Sequence, residues 1–199
     1  MMPFIEQHDQ KGTPSESRPS QKNVFEPKPA DPQWPRYSSH AWPAYRFVPG
    51  VSPHPRRHPT GHSYGRREPV PSVLTPDKWR ANDAYLFGVD LYNFAFWWEC
   101  HEIFEGFWRA SGVQSQQGRF FQALIHVAAA NLKACMGSPS SADRLNKAAL
   151  ERFQVMPQMY MGIDVRMFER DIHAYANGFC ATPALIRLQS RETTPGTRQ

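Results

Sequence analysis

Glu99, His101, Glu102 and Glu105 fall within seven residues of one another, in the stretch Trp97-Trp98-Glu99-Cys100-His101-Glu102-Ile103-Phe104-Glu105-Gly106-Phe107-Trp108-Arg109. Three carboxylates and an imidazole among so many aromatics are costly to bury unless they are paired, protonated or bound to a ligand. Such surroundings shift pKa values into a range useful for proton transfer, so the group is a candidate site. On a helix His101 and Glu105 are i,i+4 neighbours sharing one face, and Trp98 and Trp108 flank them. His-Glu-x-x-Glu has the helical spacing of the zinc-protease His-Glu-x-x-His, with Glu105 at the second ligand position and Glu102 where the base would sit. A third ligand is missing from this stretch, and so is the Glu-x-x-His order of ferritin-like bundles.

Three chemistries are compatible with the spacing. A divalent metal is the cofactor that His101 and Glu105 could hold. Metal-free acid–base catalysis would use His101, Glu102 and Glu105. In a purely structural network, Glu105 would accept from a His101 ring nitrogen and the remaining acids would pair with Arg109, Arg119 or backbone donors. Downstream, Arg119, Gln122, His126 and Lys133 form a polar stripe at helical spacing. If that stripe meets the His101 face, His126 becomes the third metal ligand or the second half of an acid–base pair; otherwise it is a solvent-facing stripe. On the ligand reading, Glu99, Trp98, Trp108, Arg119, Gln122 and His126 would surround a small polar or anionic molecule, while on the bland one the tryptophans are core.

Helices must position these residues. Thr75-Pro76-Asp77 supplies an N-cap, a proline at the first helical position and a first-turn acid, predicting a helix from about Pro76 to Asn93. A second, Phe96 to Ala110, is aromatic over most of its circumference and is expected to be central, with Ile103, Phe96, Phe107, Cys100 and Phe104 as pure core. Helices are further expected at Gln116–Met136, at Pro139 to about Phe153, and after an Asp164 cap through Ala176, with Thr182-Pro183 capping a short last turn. Nothing alternates with period two. The fold class is therefore all-α, an antiparallel bundle of about five helices behind a Pro-rich extended or disordered N-terminal arm.

Leu91-Tyr92-Asn93 and the Trp97–Arg109 stretch together resemble the signature L-F-N-x-G-x-Y-F-E-x-H-E-x-L-E-x-x-W of a small helical family, domain of unknown function 309. Arg119-Phe120-Phe121-Gln122-Ala123-Leu124-Ile125-His126 resembles that family's R-x-F-L-x-G-L-I-Q segment, and residues 137–152 resemble its G-N-x-x-G-A-x-x-L segment. The resemblance covers roughly residues 80–155 and implies a helical bundle, with no activity to transfer. Ala95 and Ala123 stand where the family usually has Gly, and His126 where it has Gln.

Composition frames the rest. Fifteen of the nineteen prolines lie at or before Pro76, which marks a boundary between arm and domain. Residues 1–40 are expected to be a disordered tail, 41–75 an extended arm docking on the bundle through its aromatics, 76–190 the bundle, and 191–199 a second disordered tail. His54, His58 and His62 recur every four residues beside Arg56, Arg57, Arg66 and Arg67, but Pro53, Pro55 and Pro59 forbid the helix that would align them. Residues 1–76 carry ten Lys/Arg against six Asp/Glu, and residues 77–199 thirteen against twelve. That charge density disfavours nucleic acid as a partner. No apolar run of about 18 residues and no signal-like start exist, so a soluble chain with no membrane partner is expected. Cys100, Cys135 and Cys180 suit buried reduced thiols in a cytoplasm.

Overall fold

The first helix begins later than Thr75-Pro76-Asp77 suggests. In the computed structural model, which describes residues 26–66 and 74–189, Pro76–Ala81 forms a 3-10 turn and α1 runs Asp83–Asn93. Thr75 makes no capping bond, whereas the Asn82 side chain accepts the Tyr85 N–H at 2.8 Å. The chain breaks at Asn82 because the better cap lies there. The later helices are α2 (Trp97–Ser111), α3 (Gln116–Cys135), α4 (Pro139–Phe153) and α5 (Val165–Ala176). Ser115 caps α3 through the Gly118 N–H, and Asp164 caps α5 through the Met167 N–H. Among the described residues no helix is long and apolar enough to cross a membrane.

Two departures concern the chain after α4. A short antiparallel ribbon, β1 (Met159–Tyr160) with β2 (Ile163–Asp164), precedes α5, and strands of two residues leave no period-two pattern to read. Thr182-Pro183 opens extended chain and no turn of helix. The Asn93 side chain bonds both the N–H and the carbonyl of Ile186, at 2.8 and 2.9 Å, and so holds that chain flat against α1.

The central helix is α3, which packs against both α2 and α4. Phe104 and Phe107 of α2 and Phe120 and Phe121 of α3 are fully buried between these helices. Phe107 stacks on Phe121 with centroids 5.1 Å apart. A side chain at Gly88 would strike Phe104, so the glycine sets how closely α1 approaches α2. Ile103 is only partly buried, so the supposed core face of α2 is open at one edge. Cys100 is buried, but Cys135 is half-buried and Cys180 exposed.

Residues 26–66 contain neither helix nor strand, and their tail and arm halves both make specific contacts with the bundle. The expectation of a disordered tail fails for residues 36–38. Asp90, fully buried in α1, accepts the Tyr37 and Ser38 N–H groups and the Ser38 hydroxyl at 2.8–2.9 Å, with Arg36 Nε at 3.5 Å. A buried carboxylate without donors is costly, so this chain satisfies Asp90 as Asp90 orders the chain. Residues 1–25 of the expected tail, Arg67, and the expected 191–199 tail lie outside the described residues.

Candidate functional site

The arm seats on α2 through its own polar and aromatic groups. Trp42 stacks flat on Phe96, 5.3 Å between centroids, and Arg46 Nε donates to the Phe94 carbonyl at 2.9 Å. Phe47 and Val48 are buried. The Phe47 N–H reaches Glu99 Oε1 at 3.0 Å, and His62 Nε2 reaches the same oxygen at 3.1 Å. Glu99 Oε2 is buried with no hydrogen-bond partner among the described residues. Burial therefore pushes the Glu99 carboxyl above its ordinary range, opposed by His62 and the Phe47 amide.

One turn further along α2, His101, Glu102 and Glu105 converge. Their ligand atoms lie within 4.8 Å of one another, and all three side chains are half-buried. His101 Nδ1 stands 3.6 Å from Glu102 Oε1, and Arg56 Nε of the arm stands 3.4 Å from Glu102 Oε2. The His101 ring holds the Glu102 carboxyl below the ordinary carboxylate range; burial opposes this and Arg56 adds to it. Glu105 does not accept from a His101 ring nitrogen, as the structural-network reading supposed. Arg109, one turn along the same helix, takes Glu105 at 2.6 Å, and its guanidinium outcompetes the imidazole for the carboxylate. Trp98 stacks against His101 at 5.6 Å and meets His54 of the arm edge-on. These residues line a cleft of about 600 Å³ with Arg56, Arg57 and Arg109.

The α3 stripe is split. His126 is half-buried, its Nδ1 without a partner among the described residues, and burial with the nearby charges of Arg152 and His101 lowers its pKa. It is near enough to sense His101 but stands outside the converging three. Gln122 accepts from Arg152 Nε at 2.9 Å, Arg119 is exposed, and Trp108 is half-buried, its Nε1 unpartnered among the described residues.

Residues 85–145 match the model of the family Domain of unknown function (DUF309). The match covers 61 of the 199 residues, and that segment is similar to the family. Among curated proteins no match is found. The DUF309 segment supplies Glu99, His101, Glu102 and Glu105, while Arg56 and His62 come from chain outside it. Ala95, where the resemblance to DUF309 leads one to expect Gly, adopts φ of +63°, so the tight turn between α1 and α2 forms without the glycine. Sequence reasoning passed over Asp90; its one signal was a lone acid in the apolar run Phe87-Gly88-Val89-Asp90-Leu91-Tyr92. For Arg56 and His62 the recurrence of His and Arg in the arm was the signal, but not which acid each would meet.

Proposed function

We propose that the cleft between the arm and α2 binds a small anionic molecule against the His101–Glu102–Glu105 group, with His101 as the group that donates to it. The supporting observation is the cleft's charge balance. Arg56 and Arg109 each hold one acid, and Arg57 adds a further cation that neither Glu102 nor Glu105 takes up. An imidazole stacked on Trp98, with two paired acids beside it, presents a proton to an incoming oxygen without offering it a bare carboxylate. Calorimetry with inorganic phosphate and with acetate tests the reading. Saturable binding should weaken about tenfold or more in His101→Ala and in Arg57→Ala, with helical content unchanged. Absent binding, or binding indifferent to both changes, contradicts it and leaves the group as a structural network in a non-enzymatic interaction scaffold.

A second reading, favoured by the 4.8 Å grouping alone, is a divalent metal on His101, Glu102 and Glu105. Tetrahedral ligands at about 2.1 Å from a metal stand about 3.4 Å apart. The site would have to contract, and Arg56 and Arg109 would have to release their acids, so this reading ranks second. Stoichiometric metal in protein purified without chelators or a metal-affinity tag, lost in Glu105→Gln, would reverse the order.

A further inference from the structure

A second cavity, of about 640 Å³, is also lined by the Arg56–Glu102 pair. His62, Ser63 and Glu99 line it together. Ser63 Oγ is 2.9 Å from His62 Nδ1, and His62 Nε2 is 3.1 Å from Glu99 Oε1. These two contacts fix one tautomer if Glu99 is ionised. Nε2 carries the proton and donates to the carboxylate, which leaves Nδ1 to accept from the serine hydroxyl. Both His62 and Glu99 side chains are less than a tenth exposed, at 9% and 8%, while Ser63 is half-buried at the cavity. Glu99 also accepts the Phe47 N–H, and the Tyr45 ring packs edge-on against His62 at 4.7 Å. The imidazole is thus held from both sides. A hydroxyl, a base bonded to it, and a buried carboxylate orienting that base meet the geometric requirements for an activated serine, whatever their order in the chain.

From this geometry we infer that Ser63, His62 and Glu99 form an acyl-transfer site for small esters that carry an anionic group. Ser63 Oγ attacks the ester carbonyl carbon as its proton passes to His62 Nδ1, and Glu99 stabilises the imidazolium through Nε2–H. The tetrahedral adduct collapses, the C–O bond to the alcohol breaks, and the leaving oxygen takes the proton from Nδ1. Water then attacks the acyl-serine, gives a proton to Nδ1, and releases the acid as that proton returns to Ser63. Arg66 lines the same cavity and is the cation for the substrate's anionic group, while Arg56, which lines it too, stays on Glu102 and adds positive field at the developing oxyanion. Trp42, Phe87, Leu91 and Ile103 line it as well and would take an apolar body. The two cavities share Arg56, Trp98 and Glu102, but the groups that act here, Ser63, His62, Glu99 and Arg66, line this cavity and not the His101 cleft.

The test uses the full chain with a fluorophosphonate probe and with two nitrophenyl esters, the acetate and the hydrogen succinate. The probe should label Ser63, and Ser63→Ala should remove the label without changing thermal unfolding. His62→Ala should slow labelling about a hundredfold or more. Glu99 is a positioning residue, so Glu99→Gln should slow labelling and also displace its pH profile, which a purely structural loss would leave in place. The succinate ester should turn over faster than the acetate, and Arg66→Ala should remove about tenfold of that preference. No label on Ser63, labelling as fast in His62→Ala as in wild type, or an unmoved pH profile in Glu99→Gln would overturn the inference.

Discussion

Glu99 and Glu102 are one turn apart on the same helix, yet their surroundings move them in opposite directions. Glu99 is sealed beneath the arm, with one imidazole and one amide on a single oxygen, and burial pushes its carboxyl up. Glu102 faces the open cleft between His101 and Arg56, and its carboxyl is held down. The helix contributes both acids alike. What differs is which part of the arm lies over each, so the arm determines the chemistry of α2 as much as α2 does.

Removing residues 1–66 should break the contrast most completely. It strips the cover from Phe96 and the donors from Asp90 and Glu99, and it deletes the buried Phe47 and Val48. Denaturant unfolding should show a loss of at least about 5 kcal/mol, enough to leave a marginal bundle. A smaller lesion is Asp90→Ala, which orphans the Tyr37 and Ser38 donors. It should cost about 3 kcal/mol by the same measurement and speed amide exchange in the arm before it does so in α3.

The turn that sets both acids' positions can be sharpened instead. Ala95→Gly relieves a left-handed alanine and should raise stability by about 1 kcal/mol, read as a higher melting temperature. The smallest effects are in pH dependence, where the two acids should show opposite signs. Glu102 has a depressed folded pKa, so its contribution is present above the unfolded value of about 4.5 and is lost as pH falls through the folded value. Glu99 has a raised one, so stability falls as pH rises from about 4.5 through its folded value. Glu102→Gln should flatten the first slope and Glu99→Gln the second, each by less than about 1 kcal/mol, measured as denaturant midpoints across that window.

How far the sequence discloses these features follows from what each depends on. The start of α4 and the cap of α5 are local: Pro139 opens its helix at the first position and Asp164 accepts the N–H three residues on, and both are where the pattern places them. The nearness of His101, Glu102 and Glu105 is likewise helical geometry. Which partner each acid takes is not local. Glu99 meets His62 and Phe47 across 37 and 52 residues, and Asp90 meets Tyr37 across 53. In the arm no periodicity transmits register, so neither pairing could be read. Arg109, one turn from Glu105, could have been, since an arginine is the stronger competitor for a carboxylate.

Carboxyl-carbon NMR of the full chain, titrating Glu99 and Glu102 side by side, tests this division most directly. The arm-imposed contrast predicts that Glu99 titrates above 4.5 and Glu102 below it. Two carboxyls titrating together, or in the reverse order, would contradict it.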